Sequence, residues 1–142
     1  MGSKKITNKK SLGWPLPAAL PPLFRAQIRN LSNSSSLSLS LEPASTLSAR
    51  MRGLMFRKEP AALLFTFDWT DRHSIHSFFV AFPFDAIYLD ERGQVADVFE
   101  RVPPFSPLLT PRAPARYLIE LPPGDAARLH ARIGDKLAIY RR

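Results

Sequence analysis

Apolar and polar positions alternate along most of this chain, and the alternation predicts strands. Leu37, Leu39 and Leu41 interleave strictly with Ser38 and Ser40, the period of a strand with one buried face. The same reasoning predicts strands at about 62–67, 74–82, 84–90, 94–102, 116–121 and 136–140. In the 74–82 segment it places His76, Phe78 and Val80 on one face and Ile75, Ser77 and Phe79 on the other. Asp90-Glu-Arg-Gly93 reads as a turn whose glycine suits a positive-φ hairpin position. Prolines 103, 104, 107, 111 and 114 exclude both helix and central strand from 103–114 and leave a stiff loop.

Two short helices complete the pattern. One covers Ser45 to Met51, with Ser45 or Thr46 as N-cap and Gly53 as its stop. The other opens at Gly124-Asp125 with Asp125 as N-cap, sets Ala126, Leu129 and Ile133 on one face, and ends at Gly134. The fold class expected is mainly β, a β-rich α+β domain built as a single small sandwich or partly closed barrel with one or two short helices.

Residues 1–35 show no sustained period, and Pro15, Pro17, Pro21 and Pro22 crowd their only apolar stretch. They are expected to form a disordered, basic extension dispensable for folding, with a single domain over 36–142. The prolines also break the resemblance of Leu12–Phe24 to a signal sequence, and the stretch is too short to span a bilayer, so a cytoplasmic protein is expected.

Charge follows the same division. Of the formal net charge of +8, residues 1–50 carry +6, from seven Lys or Arg against Glu42 alone. Weak, salt-dependent binding to nucleic acid is therefore assigned to the extension rather than the domain. The chain has no cysteine, which removes thiol nucleophiles, thiolate metal sites and disulfides.

Chemical signatures are sparse. No phosphate-binding glycine loop, dinucleotide fingerprint or nucleophile elbow occurs, and no cofactor is expected. His73 and His76 point to opposite faces of an extended segment, so the histidines read as packing and hydrogen-bonding groups and no metal site is assigned. Asp85 shares a strand face with Ile87 and Leu89, where an ionised carboxylate needs a partner. Glu120, at a strand end beside Ile119 and Leu121, is the second carboxylate of interest. No catalytic residue is assigned; His76, Asp85 and Glu120 are the candidates for acid–base work.

The run from Met51-Arg-Gly-Leu-Met-Phe-Arg57, through Arg72-His-Ser-Ile-His-Ser-Phe-Phe-Val-Ala-Phe-Pro-Phe-Asp-Ala-Ile-Tyr-Leu-Asp90, to Ala115-Arg-Tyr-Leu-Ile-Glu-Leu-Pro-Pro-Gly124 resembles the domain-of-unknown-function 192 family. These are small prokaryotic domains without an assigned activity, some of them exported or membrane-anchored. The resemblance implies a β-rich fold, a first strand just before the Arg-Gly-Leu-Met motif, and an aspartate at position 85. Arg52, Arg57 and Arg116 lie in matching motifs, and each is a candidate partner for Asp85. Bacterial relatives follow Arg-His-Ser with a polar Asn-Thr pair; Phe79 and Val80 stand there instead, which looks more like an archaeal-type member.

The function expected first is a non-catalytic binding module for a small anionic or amphipathic ligand or a protein partner. The 103–114 loop and the Arg57 region would form the rim of a cleft, with Arg57, His76, Phe105, Arg112 and Arg116 as ligand-binding residues. An enzyme using Asp85, Glu120 or His76 is the alternative. An accessory interaction protein with a polyanion-binding tail is the third reading.

Overall fold

In a computed structural model, residues 9–44 and 53–142 are described. Among the described residues, eight strands form one sheet that does not close into a barrel: β1 (Lys10–Ser11), β2 (Phe24–Asn30), β3 (Ser36–Ala44), β4 (Ala62–Asp71), β5 (Phe84–Leu89), β6 (Val95–Val102), β7 (Ala115–Leu121) and β8 (Leu137–Arg141). Their order is β1-β8-β2-β3-β4-β7-β5-β6, with β3 and β4 the parallel pair. One helical turn, α1 (Asp125–Arg128), lies between β7 and β8. The mainly β expectation therefore stands. The helix expected at Ser45–Met51, like Arg52, lies outside the described residues.

β5 and β7 are buried almost throughout, so both faces of the central sheet carry core. The register sorts their side chains: Leu63 and Ala86 oppose Glu120, while Phe65 and Tyr88 oppose Leu118. These belong to one face, packed with Leu54, Val80 and Phe84. Leu64 and Ile87 oppose Ile119, and Asp85 opposes Leu121. These belong to the other face, packed with Phe24, Ala26, Ile28, Leu41, Leu129 and Ile139.

Three expectations are corrected. First, the domain does not begin at Ser36. β2 lies between β8 and β3, pairing Phe24, Ala26 and Ile28 with Leu41, Leu39 and Leu37. Asn30 is wholly buried; its side-chain amide donates to Leu129 O (3.0 Å) and Asp135 Oδ2 (2.9 Å). Ahead of β2, Trp14 Nε1 donates to Leu137 O at 3.0 Å and Leu16 N to Tyr117 Oη at 3.0 Å. Much of the expected extension is thus built into the sheet. Arg25 and Arg29 stand on its exposed face, so part of the charge assigned to a tail belongs to folded structure.

Second, 74–82 is a loop rather than a strand, joined to the proline loop by one isolated bridge, Ile75 to Leu109. Buried Ser77 explains it. Its Oγ donates to Pro103 O (2.7 Å) and accepts from Ser106 N (2.6 Å), so a side chain satisfies the backbone groups of the proline loop that a strand partner would otherwise meet.

Third, Asp125 does not cap α1. The cap is Gly124 at φ 96°, with no side-chain cap bond, and Ile133 is exposed beyond the short helix.

Candidate functional site

The face of the sheet bearing Leu63, Phe65, Leu118 and Glu120 is incompletely covered. Two loops, 53–57 and 74–80, lie over it and leave a cavity of about 210 Å³. Its walls are mainly apolar, supplied by Leu54, Met55, Phe65, Phe67, Ile75 and Val80. Among the described residues, the side-chain polar groups at the wall come from Ser74, His76 and Glu120.

Glu120 is the chemically unusual member. Strand β7 fixes it between Leu63 on β4 and Ala86 on β5, leaving it 6% exposed. Its Oε1 is buried without a hydrogen-bond partner. A carboxylate loses much of its hydration in such a place, and nothing replaces it. Burial accordingly pushes the Glu120 carboxyl up to about 8, against a smaller opposing pull from the Arg57 guanidinium. At neutral pH the acid is mostly protonated.

Arg57 is near enough to be felt but is otherwise engaged. Its Nη1 and Nη2 donate to Glu42 Oε2 (3.1 Å) and Oε1 (2.9 Å), and its Nε donates to Gly53 O (3.2 Å). The fork-to-fork pair is the preferred geometry for guanidinium and carboxylate. Glu42 pairs with Leu63 across β3 and β4, and Leu63 pairs with Glu120 across β4 and β7. The two acids are therefore neighbours-but-one in a row across the sheet, and the arginine binds the outer one.

The loops over the cavity carry backbone strain. Phe56 and Phe79 both adopt left-handed φ, 63° and 62°, a conformation that bulky side chains disfavour. Phe56 N donates to Phe79 O at 2.9 Å, and the exposed rings stack with centroids 5.2 Å apart. This pair ties one cavity loop to the other. Phe105, at φ 63° and also exposed, joins through its N–H to Ser77 O at 2.9 Å.

His76 lies at the cavity, its Nδ1 accepting from Phe78 N at 3.2 Å. His73 is directed elsewhere, stacked on Phe67 at 4.0 Å with Nε2 against Trp69 O at 2.7 Å. Among the described residues, no cluster of three His, Asp or Glu could hold a metal ion.

Among the described residues, Asp85 has neither of its expected arginine partners, Arg57 and Arg116. It is fully buried, but its oxygens accept three backbone N–H groups: Arg101 N (2.8 Å) at Oδ1, with Gly124 N (3.0 Å) and Ala126 N (2.9 Å) at Oδ2. Arg57 is held by Glu42, and Arg116 Nε donates to Phe67 O. Asp85 is a structural anchor for the turn into α1. It also lies on the opposite face of the sheet from Glu120, so the two cannot form an acid–base pair.

The remaining candidates disperse. Arg112 exposes its side chain beside Asp97 at 3.8 Å, while its N–H donates to Asp97 Oδ2 at 2.9 Å. Arg116 borders a larger cavity of about 560 Å³ beneath residues 15–20. There Tyr117 Oη is already bonded to Leu16 N, and the buried, unpartnered acid that marks the Glu120 cavity has no counterpart in that wall. Glu42, Leu54 and Met55 belong to the Glu120 site without having been singled out by residue type.

A family model for DUF192, described as uncharacterized ACR, matches residues 28–139. The UPF0127 protein of Pyrococcus horikoshii is 36% identical over 112 residues, covering 78% of this chain and 96% of its own. That of Pyrococcus abyssi is 33% identical, with 78% and 94% covered. Among solved structures, a proposed transcription regulator from Sinorhizobium meliloti 1021 superposes with a TM-score of 0.72 at 28% identity, covering 81% of this chain and 92% of its own. A protein of unknown function from Novosphingobium aromaticivorans has the same fold, with a TM-score of 0.71 at 24% identity, covering 81% and 84%. On a match spanning most of its length, supported by archaeal relatives above 30% identity, this chain belongs to the DUF192 family.

Proposed function

We propose that the protein is a binding module for a small amphipathic ligand, seated in the cavity beneath loops 53–57 and 74–80. The observation that carries this reading is Glu120 Oε1, a buried polar atom without a partner in the wall of an otherwise apolar cavity. Buried polar groups are nearly always satisfied, and an exception at a cavity wall suits a polar group brought by a ligand. The volume of about 210 Å³ corresponds to roughly seven molecules of liquid water at about 30 Å³ each, which sets the ligand at several heavy atoms. The apolar walls suit its body, and Glu120 with His76 suits one polar end.

Of the two ligand classes expected from the sequence, the amphipathic one is favoured over the anionic. Arg57 is neutralised by Glu42, and Arg112 and Arg116 stand away from the cavity. Acid–base catalysis is the second reading, and one observation favours it: Glu120, mostly protonated at neutral pH, shares the cavity with His76. Asp85 has no part in it.

A screen of small amphipathic fragments by amide NMR tests the proposal. Ligands are expected to shift the resonances of Gly53–Met55, Ser74–Ser77 and Leu118–Leu121, and Met55→Trp, which fills the cavity from a half-buried wall position, is expected to abolish those shifts. Fragments that perturb only the region of residues 15–20 would move the site to the other cavity and overturn the reading.

A further inference from the structure

We infer that the polar end of the ligand is a cation, a primary alkylammonium, received by Glu120 against the aromatic walls of Phe65 and Phe67. This rests on the cavity being the ligand site. Oε1 of Glu120 lacks a donor, and Arg57, the guanidinium next to it, already donates to Glu42 through two nitrogens and to Gly53 O through the third. A ligand ammonium supplies the missing donors and the missing charge together, forming a charge-assisted bond at a site shielded from water. Phe65 and Phe67 in the wall are aromatic groups of the kind that attract a cation and its alkyl chain. A carboxylate ligand would instead set two acids against each other, and an alcohol would leave the acid neutral and the attraction weak.

The chemistry is a proton exchange and balances simply. The neutral Glu120 carboxyl releases its proton to solvent as the ammonium enters, and the carboxylate then pairs with the cation. Among the described residues, the groups facing Glu120 are Arg57 and its partner Glu42 from the covering loop and β3, His76 from the second loop, and Tyr88 from β5. Burial, and after it the Glu120 and Asp97 carboxyls, push the Tyr88 hydroxyl up, so it stays protonated. An alkyl amine itself stays cationic well above neutral pH. Glu120 is then the group that controls the pH dependence between about 7 and 8.

Calorimetric titration of the full chain with butylammonium, butanol and butyrate, alongside amide NMR, tests the assignment. Butylammonium should bind tightest, with proton release, and its affinity should rise about fivefold between pH 7 and 8 and level off above about 9. Glu120→Gln should lower its affinity at least tenfold and remove the pH dependence above neutrality. Nα-acetyl-lysine methylamide separates two sources of the same group: affinity equal to butylammonium points to a lysine side chain, weaker affinity to a free amine. Butanol or butyrate binding tighter than butylammonium, with shifts still at the cavity, would overturn the cation and leave the cavity reading standing. Absence of cavity shifts with all three probes would overturn both.

Discussion

Arg57 binds Glu42 through both terminal nitrogens, at 2.9 and 3.1 Å, and leaves Glu120 in the same row of the sheet without a partner. Burial keeps Glu120 neutral at the cavity wall, and the Arg57 guanidinium, committed to Glu42, opposes it with the smaller pull. Removing the competitor should reverse this. In Glu42→Gln the arginine loses its ion pair and turns toward Glu120, and the Glu120 carboxyl should fall from about 8 toward the ordinary carboxylate range. A carboxyl carbon NMR titration of the variant checks it; an unchanged midpoint would show that Arg57 does not hold the balance.

Burial of Glu120 also makes a prediction about stability. Its folded-state value lies above the ordinary value of 4.5, so the folded protein binds more protons than the unfolded chain in the interval between them. Stability from this group is fully present below about 4.5, declines as pH rises, and is lost once pH passes about 8. Glu120→Gln should flatten that part of the profile and should be more stable than the parent above pH 8, by a few kcal/mol at most. Urea unfolding at several pH values measures both effects.

Asp85→Asn should cost about 2 to 4 kcal/mol. An asparagine side chain turns one of its two acceptors into a donor, whereas Asp85 accepts N–H groups at both oxygens, from Arg101 at one and from Gly124 and Ala126 at the other. Thermal melts measure the loss, and faster amide exchange at Gly124 and Ala126 would localise it. A loss under about 0.5 kcal/mol, the size of an ordinary surface change, would contradict the anchoring role.

A chain beginning at Asn33 should fail to melt cooperatively. It lacks Phe24, Ala26 and Ile28 of the core and the Asn30 amide that reaches Leu129 and Asp135, and β8 and β3 lose the strand between them. A cooperative melt close to that of the full chain would restore the disordered-extension reading.

Gly93→Ala should loosen the segment that precedes β2. Gly93 sits at φ 83°, and an added Cβ would run into the Trp14 indole, which donates to Leu137 O and packs on Tyr117 at 5.1 Å. A red-shifted Trp14 emission, isolated in a Trp69→Phe background, reports the displacement.

Much of this fold was legible because period-two patterning survives in Leu37–Leu41, in 84–90 and in 116–121. The turn glycine at 93 was legible too, though not the indole lying against it. Phe24, Ala26 and Ile28 also alternate with Arg25, Gln27 and Arg29, but the small Ala26 and the prolines just ahead mask the signal. The 74–82 segment misleads in the opposite way, since its aromatic alternation suits a strand while Ser77 holds it to the proline loop. The site is harder still. Residue type marks Glu120 and Asp85 as equals, and only the register, which puts them on opposite faces with different neighbours, separates an anchor from a candidate binding group.

The central claim is that Glu120 stands as a neutral, unpartnered acid at the wall of the cavity. The carboxyl carbon-13 resonance of Glu120 in the full-length protein, followed against pH and assigned by its loss in Glu120→Gln, tests it most directly. A midpoint near 8 is the predicted result; a midpoint near the ordinary 4.5 would mean that Glu120 is ionised and partnered at neutral pH, and would contradict the account.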